Sequence, residues 1–182
     1  NSLVGNEKNM PVIEFAYQGP LLKLNGEKIY FAISGDVTFN IIRKDLQLEQ
    51  GNCYQTYCLE ENEQIDILST NKSVYGYLAI KGGFNVKLFW NSCSTNTKAK
   101  IGPNNGEKLD KDDIIEIFNT KKNVLNRKIN YLNTKIEKIR VIPGTNYNYF
   151  SEEGKKIFFS KNFTVSKFTD RMGMRLEGPR IE

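Results

Sequence analysis

Two stretches of this chain carry side chains dense enough for chemistry. The first is Asp170-Arg171-Met172-Gly173-Met174-Arg175-Leu176-Glu177, four charges of both signs within eight residues. Read as a strand, it places residues 171, 173, 175 and 177 on one face. Arg171 and Arg175 would then hold a substrate carboxylate bidentately, with Asp170 or Glu177 orienting them or moving a proton. An internal ion-pair ladder would use the same residues. The second stretch is Asn91-Ser92-Cys93-Ser94-Thr95-Asn96-Thr97, rich in hydroxyls. Ser94 and Thr95 could donate to a developing oxyanion or hold a carboxylate. Asx and Ser/Thr side chains equally build an ordinary capped turn. Cys93 would become a nucleophile only beside a base or a cation, and only Lys98 and Lys100 are near in sequence.

The composition narrows what these groups could do. There is no histidine among the 182 residues. That excludes a Ser-His-Asp triad, a Cys-His dyad and imidazole acid–base steps within the chain. Proton transfer falls to carboxylates, lysines, tyrosines or a partner chain. Neither a P-loop nor G-x-G-x-x-G is present, and Gly102-Pro103-Asn104-Asn105-Gly106 is turn chemistry. Met172-Gly173-Met174 has no lysine between its methionines, so it is no biotin attachment site. No cofactor is therefore expected on this chain, and a carrier or ATP, if the reaction uses one, would belong to partners. Cys53, Cys58 and Cys93 make neither a disulfide framework nor a metal site, and no metal is expected. Reduced thiols, the lack of a long apolar run and the lack of a signal layout over 1–10 point to the cytoplasm, away from membranes.

A formal charge of +5 and a pI near 9.0 invite a nucleic-acid reading, but the charge is localised. Residues 121–140 hold seven Lys and Arg against Glu137 alone, and the remainder of the chain sums to −1. No aromatic platform or Gly-rich loop accompanies that segment, so nucleic acid is not an expected partner. Its Leu125, Ile129, Leu132, Ile136 and Ile139 are spaced for a short amphipathic helix, against the low helix propensity of four interspersed asparagines.

The elements that must position the two stretches read mainly as short strands. Val12 to Tyr17, Leu21 to Leu24, Lys28 to Ile33, Val37 to Ile42, Ile65 to Leu68 and Val74 to Ile80 are separated by turn signals. Asn25-Gly26 suggests a two-residue hairpin joining the second and third. Beyond the basic segment, Lys138 to Ile142 reads as a strand closed by Pro143-Gly144. Ser151 reads as the N-cap of a helix to about Phe159, with Glu152 and Glu153 in its first turn. Phe163 to Val165 is a further strand. The pattern predicts an all-β barrel or sandwich.

Residues Ser166 and 169–179 closely resemble the S-D-R-M-G-Y-R-L-E-G-P signature of the biotin-dependent carboxyltransferase-like family. That family includes allophanate hydrolase subunit 2, the carboxyltransferase part of urea amidolyase, the C subunit of 5-oxoprolinase and the kinase-inhibitor antagonist protein. Further matches follow in family order. They are Leu3-Val4-Gly5-Asn6 with Glu14 and Gly19-Pro20, Ile33-Ser34-Gly35-Asp36, the run from Gly76 to Phe84, Ser92-Cys93-Ser94-Thr95 with Ile101-Gly102, and Arg140-Val141-Ile142-Pro143-Gly144. This sequence departs from the pattern at Cys93, where the family usually has arginine, and at Pro103, where it has glycine.

The resemblance implies a mainly β, cyclophilin-like β-barrel architecture in two lobes, with one short helix in the second. The expected layout is a first lobe over 1–120, a basic linker over 121–138 and the start of a second lobe over 139–182. The family's N-terminal T-V-Q-D-x-G-R segment and its long region after R-L-E-G-P are not in this sequence, which reads as the central part of a member. The implied function is that of a subunit acting on a small amide, lactam or ureido substrate. That means ATP-dependent opening of 5-oxoproline to glutamate, or carboxyl transfer to urea, alongside a sister subunit. The alternative is a non-catalytic regulatory or binding module of the kinase-inhibitor antagonist type.

Overall fold

The computed structural model describes residues 1–118, 126–130 and 138–182. The chain divides into two compact units, Asn1–Asn133 and Thr134–Glu182. It is mainly β, as the sequence predicts.

Among the described residues, eight strands build the first unit: β1 (Ile13–Ala16), β2 (Leu21–Lys23), β3 (Ile29–Ser34), β4 (Val37–Ile42), β5 (Leu48–Gln50), β6 (Thr56–Leu59), β7 (Gln64–Thr70) and β8 (Tyr75–Ile80). They form two four-stranded sheets, ordered β1-β8-β3-β6 and β2-β7-β4-β5, and every pairing is antiparallel. β4 shows why strands form here: Val37, Phe39 and Ile41 are buried while Thr38, Asn40 and Ile42 are not. The inward residues of both sheets make one core, with Phe31, Ile33, Phe39, Ile41, Leu59, Ile65, Ile67 and Leu78 fully enclosed. Tyr57 stacks on Phe31 at 5.7 Å between centroids and meets Phe39 edge-on at 5.9 Å. Burying a side chain of this kind stabilises the fold by about 1.5–3 kcal/mol before entropy is counted.

Asn25-Gly26 does not make the expected hairpin. β2 pairs with β7, and β3 pairs with β6 and β8, so the dipeptide sits at a corner where the chain passes from one sheet to the other. The reason is Leu24, which is buried in the common core and exchanges backbone hydrogen bonds with the 60–63 turn. A tight turn at 25–26 would have pulled it out. A second crossing, at Gly35-Asp36, joins β3 to β4. Its Asp36 carboxylate accepts from Asn71 Nδ2 and Lys72 N, each at 3.2 Å, and so ties this corner to the β7–β8 turn.

Part of the basic segment is bound to the first unit. Lys128 pairs with Gln55, Ile129 N donates to Tyr54 O, and Thr56 N donates to Arg127 O. Residues 126–130 are therefore extended along the β6 edge and not helical, because edge carbonyls and amides there take up the backbone groups that a helix would use. Leu125, Leu132 and Ile136 lie outside the described residues.

In the second unit the helix forms as the caps predict. α1 (Glu152–Ser160) begins at Ser151, whose Oγ accepts from Gly154 N at 3.0 Å, with Glu152 and Glu153 in the first turn. β9 (Thr164–Asp170) and β10 (Gly173–Glu177) form an antiparallel hairpin. The strand expected over 138–142 is absent: these residues are irregular and exposed, with Ile142 at 91%. Among the described residues none pairs with them, and an unpaired β-rich sequence has no ladder to hold it extended. Among the described residues no helix is long and apolar enough to cross a membrane.

Candidate functional site

In the second unit, the signature peptide is the hairpin β9–β10. Its turn falls at Arg171-Met172, inside the stretch that the sequence reads as one strand. Asp170 makes the turn: its Oδ1 accepts from Met172 N at 2.8 Å, an Asx-type contact that fixes the reversal. The ladder then shifts register between Met174 and Leu176, a bulge whose extra residues lie on β9 at Ser166–Phe168, opposite Arg175. The turn takes Arg171 off the strand, so of the expected common face of 171, 173, 175 and 177 only 173, 175 and 177 lie at alternate positions of one strand.

Each candidate group has a definite place on the hairpin. The Arg175 guanidinium lies 5.7 Å from the Phe168 ring centroid, and Lys167 Nζ lies 5.3 Å from the same ring. Both cations lie within cation–π range of one aromatic ring, an attraction that leaves their charge unneutralised. Asp170 pairs with Gly173 at the turn end, whereas Glu177 pairs with Thr164 at the other end. About four residues of strand, roughly 13 Å, separate them. They cannot both reach one substrate atom, so the hairpin offers one carboxylate at each end.

In the first unit, the hydroxyl stretch follows a tight reversal. Phe89 and Ser92 exchange backbone hydrogen bonds at 2.8 and 2.9 Å around Trp90 and Asn91, which have φ of 50° and 61°. Ser92 Oγ accepts from Ser94 N at 3.1 Å, and Asn96 and Ile101 exchange backbone bonds at 2.8 and 3.2 Å. Gly102 lies against Ser94 O and Thr95 Cα, where a Cβ would come within 2.5 and 2.8 Å. Ser94 and Thr95 are exposed, on a backbone fixed from both sides. Lys100 Nζ is committed to an ion pair with Glu107, so one of the two cations near Cys93 is engaged elsewhere. The other two thiols are pushed up from their ordinary values by burial, and Cys53 Sγ also donates to Val37 O at 3.2 Å. Among the described residues no group of His, Cys, Asp and Glu could hold a metal ion.

Sequence reasoning assigned no role to a third constellation. Asn6 Nδ2 donates to Ile80 O at 2.7 Å and its Oδ1 accepts from Gly82 N at 2.9 Å. Lys81 Nζ donates to Gly5 O at 2.8 Å, Arg127 Nη1 to Ser2 O at 2.6 Å, and Thr56 Oγ1 to Leu3 O at 3.1 Å. Val4 between them is fully buried against Ala32 and Ala79. Two matched segments, Leu3 to Asn6 and Gly76 to Phe84, are therefore clasped to one another. The motif matches were the available signal, although nothing in the residue types showed that they meet.

Comparison with known proteins agrees with this architecture. The family model "Carboxyltransferase domain, subdomain A and B" matches residues 1–182. The chain is 27% identical over 183 residues to the C subunit of 5-oxoprolinase from Haemophilus influenzae, covering all of this chain and 57% of that protein. It is 25% identical to the C subunit of 5-oxoprolinase from Escherichia coli, covering 98% of this chain and 56% of that protein. The chain thus spans little more than half of these relatives. The crystal structure of TTHA0988 superposes with a TM-score of 0.82 at 26% identity, covering all of this chain and 65% of that one.

Proposed function

The chain belongs to the carboxyltransferase domain family, subdomains A and B, and from that premise we propose that it is part of one subunit in a cytoplasmic, multi-subunit enzyme acting on a small amide, lactam or ureido substrate. The substrate favoured is 5-oxoproline, opened to glutamate with ATP bound by a partner subunit. The observation that carries this reading is the match to two proteins named as the C subunit of 5-oxoprolinase over essentially the whole chain. Carboxyl transfer to urea from a partner's carboxybiotin is the second reading. It rests on a weaker resemblance, 24% over 192 residues, to urea amidolyase of Saccharomyces cerevisiae.

In this proposal the second-unit hairpin receives the substrate's anionic group. Arg175, beside Phe168, and Arg171 at the turn supply cationic donors suited to a carboxylate. One end-carboxylate, Asp170 or Glu177, handles the proton. Ser94 and Thr95 are a separate set of small donors for an oxyanion, on a loop whose backbone is already fixed.

The test is reconstitution of the full-length protein with its sister subunits, followed by an assay of ATP-dependent glutamate formation from 5-oxoproline. Turnover that requires this protein supports the proposal. A complex that carboxylates urea and leaves 5-oxoproline untouched replaces it with the second reading.

A further inference from the structure

We propose that Asn25 is a site of spontaneous deamidation, which places a new carboxylate at the mouth of a cavity in the first unit. The chain has two Asn-Gly dipeptides, Asn25-Gly26 and Asn105-Gly106. In such a pair the glycine nitrogen can attack the asparagine side chain, because no Cβ hinders its approach.

The fold treats the two pairs differently. Asn25 and Gly26 are exposed, lie outside any strand, and have nothing within 4 Å of where a Gly26 Cβ would stand. Gly26 has φ +131° and no neighbour packed against its Cα that would resist closing a five-membered ring. Gly106 is buried, and its N–H is bound by Gly102 O at 3.2 Å and Pro103 O at 3.1 Å. A Cβ there would stand 2.1 Å from the Lys100 carbonyl carbon. The nitrogen of Gly106 is unable to turn on Asn105 without local opening. Asn91-Ser92 is held in the same way, since Ser92 N donates to Phe89 O at 2.9 Å.

The step at Asn25 needs only water. Gly26 N bonds to Asn25 Cγ, the Cγ–Nδ2 bond breaks, and ammonia leaves with the amide proton, giving a succinimide. Water then adds to either ring carbonyl, and opening the ring yields aspartate or isoaspartate. One water is consumed, one ammonia is released, and nothing is oxidised or reduced.

The product matters because of where it lies. Asn25 lines a half-open cavity of about 200 Å³ with Leu24, Lys28, Tyr30, Lys81 and Phe118. A carboxylate at position 25 would join Glu27 on a lining that also carries Lys28 and Lys81. The isoaspartate form also adds one methylene to the main chain at the crossing between sheets.

The experiment incubates the folded, unmodified protein at mildly alkaline pH and follows tryptic peptides 24–28 and 101–108 by liquid chromatography and mass spectrometry. Each is bounded by lysines, and 24–28 contains a single side-chain amide. Peptide 24–28 should gain its mass shift at least about tenfold faster than 101–108, because only the latter waits on local opening. In concentrated urea the two should convert at similar rates. Equal rates in the folded protein, faster conversion of 101–108, or no conversion of 24–28 while the urea sample converts would each overturn the proposal.

Discussion

Asn6 holds Gly82 in place across 76 residues of sequence, its Oδ1 accepting from Gly82 N at 2.9 Å while its Nδ2 donates to Ile80 O at 2.7 Å. One amide side chain thus satisfies both the last carbonyl of β8 and an amide just beyond it.

Asn6→Ala should therefore lower unfolding free energy by about 2 kcal/mol, the worth of two partly buried hydrogen bonds. Urea denaturation reads this directly. Asn6→Asp should also destabilise, since it keeps the acceptor for Gly82 N but sets a carboxylate against the Ile80 carbonyl. Wild-type stability in both variants would show that the clasp contributes nothing.

A second prediction concerns Arg43 and Glu63. Glu63 is 6% exposed, and its Oε2 accepts from Arg43 Nη1 and Glu60 N, both at 2.8 Å. Arg43→Met strands that buried carboxylate and should cost about 3 kcal/mol. Glu49 is Arg43's more exposed partner, and Glu49→Gln should cost less than about 1 kcal/mol. Chemical denaturation of the two variants side by side checks the ranking, and equal losses would contradict it.

Alkaline stability should depend on Cys53. Burial raises its thiol above the ordinary value, so the folded state holds that proton more tightly than the unfolded state. The resulting stabilisation is fully present below the unfolded thiol pKa, about 8.5, and is lost as pH rises through the folded value. Cys53→Ala should leave a shallower decline in stability above that pH, beyond any constant offset from lost packing. Parallel stability–pH curves for the two proteins would rule the linkage out.

Asp170 has a structural task and a proposed chemical one, and the two are separable. Asp170→Asn retains an Oδ1 able to accept from Met172 N, so the hairpin should stay folded, whereas the negative charge is lost. If Asp170 moves the proton, turnover of the reconstituted enzyme should fall by roughly 10²–10⁴-fold. Full activity in that variant shifts the role to Glu177. Arg175→Ala should raise KM more than it lowers kcat if the guanidinium binds substrate and transition state alike.

Local signals were legible in the sequence wherever local physics decides. The alternation over 37–42 gave β4 its bounds, and Ser151 with two following glutamates gave α1 its start. What was not legible depended on distant partners. Leu48-Glu49-Gln50 is exposed throughout, so β5 has no apolar period to show and exists by pairing with β4. Asn25-Gly26 looks like a hairpin until Leu24 is seen to need a core made of both sheets. The signature at 170–177 located the candidate site, but its reversal depends on one side chain, Asp170, accepting a backbone amide. Period-two reasoning cannot see such a bond.

The crossings at 25–26 and 35–36 bear on how the first unit forms. β1 waits for β8 and β2 waits for β7, so neither sheet can close from a contiguous stretch of chain. On a growing polypeptide β2 remains unpaired until residue 70, the end of β7, has emerged, and β1 until residue 80, the end of β8. Folding is then governed by closure of long loops, the regime of slow β proteins. During those intervals Ile13 to Ala16 and Leu21 to Lys23 present open edges, the state in which such a chain is most prone to aggregate.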